Sequence, residues 1–591
     1  MIGLGLVVAL YAAVATAPAP APQTDPVPTP SPAPAPDVTP APAASPWTWS
    51  VNEEGVFRSW EDNADTANRE DLMDGMNRLI GVVTRGGFKT GAQLDIAFAT
   101  PADRAVLTED AVVPPPGATS SVFLADDADE GLEYAAVLEK KFLRWTGNFA
   151  TVEVGDNYRA VGRGLALALV KNTELDIDTS LEGGAADLRF KGFELNGFTG
   201  WSNPQTISAA FSNHIRRDVR DLISGGRLSW SGPLELFVHG ATYRFDKESP
   251  AQLILEGDVY YPKTASVGGG GFSLPDFGGG LGDLYVEGLS AVHDGEDLAG
   301  EDDRYDGWGG YAAANFYLGP VTLALEGKSY KNLELLNIRQ NEGALVPYDY
   351  STPPTLEKEN LVNYQSTKAV NSNDVHGGKA SVSFPLTRGF LGRVTWLRLD
   401  DLGHRIVEPS GNVIDENESI NHGYVGVEKR GEGLFFQVTA GARNETRLED
   451  PDVREVLVHA DGDLLLPLYA GGSLELKALG YRQTEESARN GFKRTSDVTA
   501  FVASMRPLRW ASVAVLVDTT TDERVTSGFG TRTGNLSDQA FGAVEISVEP
   551  TDNTVGRVFA GATQGGLKCS GGTCRVVPAF EGVRVEWLAR F

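Results

Sequence analysis

The chain ends with Val583-Arg584-Val585-Glu586-Trp587-Leu588-Ala589-Arg590-Phe591. Apolar side chains occupy the odd positions, and mostly charged side chains occupy the even ones. This period of two predicts a β-strand with one apolar and one charged face. A strand of a soluble sandwich also alternates. An apolar face that ends in Trp and Phe, however, suits the interface between a membrane and water.

This stretch resembles the C-terminal strand of outer-membrane β-barrels, which the envelope's barrel-assembly machinery recognises. The resemblance makes Val583, Val585, Trp587 and Phe591 an assembly signal. It implies a barrel in the outer membrane of a Gram-negative bacterium, with both termini in the periplasm. Its partners would be outer-membrane lipid and the assembly machinery. A soluble edge strand is the alternative.

The composition is compatible with such a barrel. The 591 residues include 68 Gly and only 4 Met, which suits many strands and tight turns. The hydrophobic fraction of 41% excludes a bundle of membrane-spanning helices. A barrel presents only half of each strand to lipid and keeps a lower hydropathy. The net charge of −29 argues against nucleic acid as a partner.

The N-terminal part divides into three segments. Residues 1–15 are mostly apolar and end in Ala13-Val14-Ala15, which predicts a secretory signal. Residues 16–46 are rich in Pro and Ala, which predicts a disordered, extended periplasmic linker. This linker is either passive or a contact for the cell wall or a periplasmic protein. The acidic residues 47–75 form a short helix, a lumenal segment or a first strand.

From residue 76 to 591, alternating runs recur, as at 92–98 and 511–518. Many are longer than a typical soluble strand and fit a tilted strand that crosses a bilayer. Short turns separate them from longer polar stretches at 101–132, 247–281, 333–375, 402–420 and 522–536. The sequence therefore predicts an all-β fold. It is one large transmembrane antiparallel barrel of about 20 strands, within a range of roughly 18–22.

One stretch interrupts this alternation of apolar and polar residues. It contains Gly155-Asp156-Asn157-Tyr158, then Gly162-Arg163-Gly164-Leu165, then Leu175-Asp176-Ile177-Asp178. This G-D-x-Y, G-R-G-L and L-x-I-D pattern resembles a poorly characterised family of porin-like outer-membrane barrels. The resemblance implies a barrel and carries no settled activity.

A large barrel without a complete plug encloses water, which predicts a porin-like channel for passive passage of small solutes. Basic residues are concentrated in residues 159–227, within an otherwise acidic chain. The predicted pore-lining residues are Arg159, Arg163, Lys171, Arg216, Arg217 and Arg220. Alternatively, each basic residue pairs with a nearby carboxylate. A second function is a non-conducting barrel that anchors an envelope assembly for secretion, motility or adhesion.

Other chemistry has weaker support. Cys569 and Cys574 flank a Gly-rich turn, which predicts a disulfide, and zinc would need further ligands. The acidic residues from 294 to 306 indicate a solvated loop more than a calcium site. The Gly-rich residues 268–282 indicate a loop tip more than a phosphate cradle. No catalytic motif, metal site or cofactor site is evident. His239 and His422 are the candidates if the barrel is a hydrolase, and we expect no enzyme.

Overall fold

The computed structural model describes most of the chain from residue 47 onward. The described residues are 47–61, 71–100, 133–172, 177–206, 220–246, 253–255, 258–297, 300–333, 354, 356, 374–387, 389–402, 404–407, 413–416, 419–431, 434–447, 453–487, 491–521, 540–563, 566–570, 573–577 and 580–591. The predicted signal and Pro-rich linker lie outside them.

Within these residues, 24 strands form one antiparallel barrel. The first eight are β1 (Thr48–Glu61), β2 (Asp71–Arg85), β3 (Phe88–Thr100), β4 (Glu133–Thr146), β5 (Ala150–Asn157), β6 (Ile177–Phe190), β7 (Phe193–Thr206) and β8 (Leu222–Ser231). The next eight are β9 (Glu235–Arg244), β10 (Asp258–Phe277), β11 (Gly282–Asp297), β12 (Asp302–Leu318), β13 (Val321–Lys331), β14 (Asp374–Thr387), β15 (Phe390–Asp401) and β16 (Ser419–Gly431). The last eight are β17 (Leu434–Arg447), β18 (Val453–Pro467), β19 (Ser473–Ser487), β20 (Phe492–Leu508), β21 (Ala511–Thr520), β22 (Ala540–Thr551), β23 (Thr554–Thr563) and β24 (Phe580–Arg590).

The barrel closes between its first and last strands. β1 pairs antiparallel with β24, and Gly55 lies opposite Trp587. Val51 and Phe591 exchange two backbone hydrogen bonds, of 3.1 and 2.8 Å. The predicted all-β closed barrel is therefore confirmed. Closure satisfies the backbone groups of both edge strands, which an open sheet of this width would leave unpaired.

The strand number is 24 and not the predicted 20 or so. One reason is the stretch 247–281, which the sequence indicates as a loop. The structure instead places Gly268–Gly271 inside β10, the longest strand of the wall. Glycine has no side chain, so these four residues show no alternation of apolar and polar side chains. Among the described residues of this stretch, Gly278–Leu281 form the turn between β10 and β11.

The wall also begins earlier than residue 76. Thr48–Glu61 is the first strand, and β2 starts at Asp71. Of the alternatives for residues 47–75, the structure thus has the strand. The acidic residues obscured it, although one of them, Asp74, has a basic partner on β1 inside the barrel. Arg58 Nε donates to Asp74 at 2.8 Å.

The connections differ between the two ends of the barrel. At one end, eleven turns of two to five residues join the strands, for example Gly86-Gly87 and Gly319-Pro320. At the other end most connections are longer and several carry extra hairpins. Three are short, at 298–301, 448–452 and 488–491. The two ends are termed the turn end and the loop end below. Both described chain ends, Trp47 and Phe591, lie at the turn end.

Side-chain burial is inverted relative to a water-soluble protein. On β3, Leu94 and Ile96 are exposed, whereas Gln93 and Asp95 are buried. Fully buried side chains elsewhere include those of Arg78 and Arg443. Many apolar residues therefore face outward, and many charged residues face the lumen. In the described residues no helix is long and apolar enough to cross a membrane.

Candidate functional site

The connection between β5 and β6 folds into the lumen, and residues 158–172 are termed the lumenal hairpin. Its strands Arg159–Val161 and Leu167–Leu169 pair antiparallel. Leu165, Leu167 and Leu169 are buried in one apolar cluster with inward-facing residues of β6 to β16. This packing explains why the connection turns inward, since its leucines are shielded from water there.

Glu287 of β11 holds the tip of the lumenal hairpin. The backbone N–H of Arg163 donates to Glu287 Oε2 at 3.0 Å. Gly162 has a φ of +67°, and a Cβ at this position would lie 1.8 Å from Glu287 Oε1. The same carboxylate is 2.8 Å from Nε2 of His239 and accepts the Tyr285 hydroxyl at 2.5 Å. Only glycine permits this approach.

Aromatic side chains of the wall hold the rest of the tip. The Arg163 guanidinium lies 4.0 Å from the ring centre of Tyr285 and 5.7 Å from that of Tyr311. These distances allow cation–π attraction. The Tyr243 hydroxyl donates to the carbonyl of Ala166. The hairpin is thus fixed to three neighbouring parts of the inner wall, on β9, β11 and β12.

The base of the lumenal hairpin contacts a buried charged network. Lys140 Nζ donates to the Tyr158 hydroxyl at 2.8 Å, and that hydroxyl donates to Asp178 at 2.5 Å. Lys140 and Asp178 also form an ion pair. Arg78 donates to Asp95 at 2.9 Å and lies 4.0 Å from Asp178. Burying these charges is tolerated because each has an opposite charge beside it.

The G-D-x-Y, G-R-G-L and L-x-I-D pattern corresponds to this arrangement. Gly155 has a φ of +97°, and a Cβ there would lie 2.0 Å from the carbonyl oxygen of Lys141. Asp156 accepts from the Lys141 N–H at 2.8 Å and from Ser180 at 3.1 Å. Tyr158, Gly162, Arg163 and Asp178 make the contacts above. The described residues of the pattern thus lie where the chain leaves the wall, at the hairpin tip and at the start of β6, whereas Leu175 and Asp176 lie outside the described residues.

The structure brings together three of the predicted pore-lining residues on the lumenal hairpin. Arg159 lies 3.2 Å from Glu153 and 3.4 Å from Asp187. Lys171 is 3.9 Å from Glu54 of β1. Arg163 contacts the tyrosines described above. Pairing with carboxylates, the alternative considered for these residues, thus accounts for two of them, and their effect on selectivity stays a prediction.

The other predicted basic residues lie elsewhere. Arg220 precedes β8 at the loop end, is exposed, and lies 3.1 Å from Glu182. Arg216 and Arg217 lie outside the described residues. At the C-terminus, the ring of Trp587 covers Gly55, and its indole N–H donates to Glu53 at 3.3 Å. The assembly role of Val583, Val585, Trp587 and Phe591 stays a prediction.

The two histidines considered for a hydrolase each lie beside another buried side chain. His239 contacts Glu287, and His422 Nε2 lies 2.8 Å from His459 Nε2 with both rings buried. Among the described residues, no group of three or more His, Cys, Asp or Glu side chains could hold a metal ion. The backbones of Cys569 and Cys574 lie opposite each other in a hairpin. Their disulfide stays a prediction.

The acidic stretch 294–306 is not one loop. It forms the loop-end halves of β11 and β12, joined by the short connection 298–301. Lys263 of β10 pairs with Glu296 and lies 2.9 Å from Asp302. The acidic side chains therefore lie along β11 and β12, and Lys263 lies between two of them. They do so because both strands continue past their apolar residues toward the loop end.

Sequence reasoning missed Glu287, Tyr285 and Tyr311, which hold the hairpin tip. Glu287 is 124 residues from Arg163 in the chain. Each lies in an ordinary alternating run, where an inward-facing polar residue is expected in any barrel. No local signal distinguishes them, and only the strand register brings them to the hairpin.

No family model matches the chain, and no curated protein matches it in sequence. Among solved structures, it is similar to the siderophore receptor PirA from Pseudomonas aeruginosa. Identity is 10%, the TM-score is 0.43, and the match covers 92% of this chain and 80% of that one.

The P pilus usher (PapC) translocation pore matches at 11% identity and a TM-score of 0.35, over 92% of this chain and 99% of that one. The outer membrane protein opdK from Pseudomonas aeruginosa matches at 11% identity and a TM-score of 0.33, over 68% and 94%. At these scores the likeness carries no conclusion about what this chain binds or transports.

Proposed function

We propose that this protein is an outer-membrane channel for passive passage of small solutes, narrowed by the lumenal hairpin. The observation that carries the proposal is the closed 24-strand wall with charged side chains on its inner face. Barrels of 16 or more strands are wide enough for an aqueous path, whereas small barrels are filled by their own side chains.

The outer surface supports a membrane location. Many of the exposed aromatic residues lie at the turn end, among them Trp47, Phe88, Phe149, Phe190, Trp510 and Phe591. At the loop end the exposed strand faces carry ion pairs instead, such as Arg398 with Asp400 at 2.8 Å and Arg482 with Asp497 at 2.7 Å. Apolar residues lie between these two zones. This order matches a lipid-facing belt with an aromatic girdle at one interface.

The same features support an orientation. In outer-membrane barrels short turns face the periplasm and long loops face the outside. We therefore place the turn end, with both described chain ends, in the periplasm. The Pro-rich linker would then extend into the periplasm, and β24 would be the strand that the assembly machinery engages.

The inner wall is not uniform, and this supports a path along one side. Inward residues of β6 to β16 are buried in one apolar cluster that includes the lumenal hairpin. On the opposite side, two inward charges near the turn end keep part of their surface exposed, Lys477 at 24% and Arg557 at 17% of the side chain, although apolar residues such as Leu457 and Phe559 are buried there. Water and solutes would pass along β18 to β24.

A second candidate is a non-conducting barrel that anchors an envelope assembly. The large apolar cluster inside the lumen favours it, because such a cluster excludes water from that part of the interior. The two functions differ in ion flow through the barrel.

Planar-bilayer recording of the purified full-length protein tests the proposal. Discrete open steps are expected if water fills the path along β18 to β24. Protein that inserts into the bilayer and migrates as a folded barrel, yet passes no current, would contradict the channel and favour the anchor.

A further inference from the structure

Three cations on the outer side of the turn end each lie over an aromatic ring. The distances from the cation to the ring centre are 4.9, 5.0 and 5.1 Å for the pairs Arg85 with Trp47, Lys191 with Phe190 and Lys429 with Phe390. Such distances allow cation–π attraction. Arg85, Lys191 and Lys429 are termed the rim cations below.

The rim cations lie on the outer face of the wall. On β2, Arg78 is buried on the inner face, so Arg85, an odd number of positions later, points outward. On β16, Tyr424 is buried in the same way, so Lys429 points outward. Lys191 lies in the turn between β6 and β7, next to an exposed phenylalanine. All three are therefore accessible from the membrane side of the barrel.

The rim cations differ from the exposed cations at the loop end in their partners. Three loop-end cations lie 2.8, 2.7 and 3.2 Å from a carboxylate, in the pairs Arg398 with Asp400, Arg482 with Asp497 and Lys493 with Glu486. Among the described residues, no rim cation forms such a pair. A contact with a ring face leaves most N–H groups of a cation available to an acceptor outside the protein.

Carboxylates near the turn end lie on the other face of the wall. Asp283 on β11 is in phase with the buried, inward-facing Glu287. Glu235 on β9 is in phase with the buried His239, and it accepts from Arg227 at 2.5 Å. The outer surface is thus positively charged at the rim cations, although the chain carries a net charge of −29.

We infer that the rim cations bind the phosphate groups of anionic phospholipid in the inner leaflet of the outer membrane. Aromatic residues at a membrane interface lie at the depth of the lipid headgroups, so the cations above their rings meet the phosphates. Arginine and lysine donate charge-assisted hydrogen bonds to phosphate oxygens. The inference rests on the membrane location and orientation proposed above, and it requires no ion flow.

The placement of the rim cations favours lipid over an acidic protein. They lie on β2, between β6 and β7, and on β16, which are spread around the 24-strand wall. A protein partner would need one continuous surface, whereas a lipid leaflet surrounds the whole barrel and reaches every site. A zwitterionic phospholipid carries its own ammonium group beside the phosphate, so an anionic phospholipid should bind more tightly.

Native mass spectrometry of the full-length protein tests this inference. The protein is taken from micelles that hold equal amounts of phosphatidylglycerol and phosphatidylcholine with the same acyl chains. Wild type is expected to retain phosphatidylglycerol in excess. The triple variant Arg85→Gln, Lys191→Gln and Lys429→Gln is expected to lose this preference by roughly fivefold or more, because its rim no longer carries the three positive charges.

The matched control is the triple variant Arg398→Gln, Arg482→Gln and Lys493→Gln. It removes the same charge from cations that already have a carboxylate partner, and it should keep the preference of wild type. Lys191→Gln alone changes one exposed turn residue and should lose part of the preference. Heat-dependent gel mobility shows whether each variant is folded.

The inference is overturned if wild type retains both lipids equally or if the rim variants keep the full preference. It is also overturned if the loop-end variant loses as much, because net charge alone would then explain the binding. A silent barrel that prefers phosphatidylglycerol contradicts the channel alone. A conducting barrel without this preference contradicts the rim site alone.

Discussion

The backbone N–H of Arg163 donates a hydrogen bond to the carboxylate of Glu287 at 3.0 Å, although the two residues are 124 positions apart in the chain. This contact joins the tip of the lumenal hairpin to the wall. Glu287 also receives the hydroxyl of Tyr285 and lies beside His239. One carboxylate therefore fixes the hairpin and two wall side chains, and its removal should release all three.

Glu287→Ala is expected to destabilise the barrel by roughly 2–3 kcal/mol, because buried donors lose a charged acceptor. The freed hairpin should also make the channel current noisier. Thermal unfolding and bilayer recording measure the two effects. Glu235→Ala, which breaks a more exposed pair with Arg227, serves as the control. Equal unfolding temperatures for both variants would show that Glu287 does not hold the hairpin.

Gly162→Ala is expected to displace the hairpin tip without removing any charge. The φ of +67° disfavours alanine, and the added Cβ would overlap Glu287 Oε1. Gly184→Ala is the control, since a Cβ there meets nothing within 4 Å. Limited proteolysis should cut the hairpin of the first variant only. Equal resistance of the two would mean that the close approach is dispensable.

Arg78→Ala is expected to destabilise the barrel by roughly 3–5 kcal/mol, since it leaves Asp95 without its ion-pair partner in a buried site. Arg482→Ala breaks an exposed pair with Asp497 and should change stability far less, because water and salt screen such a pair. Urea unfolding in micelles compares them. A small effect at Arg78 would imply that water reaches this network freely.

The wall was predictable from the sequence because a period of two is a local property. Runs such as 511–518 give the strand and its faces directly, and β24 does the same at the C-terminus. The count failed where side chains are missing or atypical. Gly268–Gly271 carry no alternation, and the acidic residues Glu54 and Asp74 of β1 and β2 pair with basic residues inside the barrel.

The site was predictable only in part. The residues of the lumenal hairpin were recognisable in the sequence because glycines and charged residues interrupt the alternation of apolar and polar residues between 155 and 184. Their direction into the lumen did not follow from the sequence, since it depends on leucines that join an apolar cluster built from eleven strands of the wall. Glu287 is an ordinary inward-facing residue in sequence, and its role depends on what the register places beside it.

The basic residues of the hairpin should influence ion selectivity. Replacing Arg159, Arg163 and Lys171 by Ala removes three positive charges from the lumen, while Glu153, Asp187 and Glu54 remain. The channel should therefore become more selective for cations, which reversal potentials in a salt gradient measure. Arg482→Ala on the outer face should leave the potential unchanged. An unchanged potential in the triple variant would remove these residues from the conduction path.

Spin labels at Ser512 and Val513 test the wall itself most directly. These neighbours on β21 point to opposite faces, and Val513 is exposed on the outer one. Each is changed to Cys in a background with Cys569→Ser and Cys574→Ser, labelled, and placed in lipid vesicles. The account predicts that the label at 513 is relaxed by oxygen dissolved in lipid and the label at 512 by a water-soluble nickel chelate. Equal access of the chelate to both labels, or the reverse pattern, would contradict a wall with lipid outside and water within.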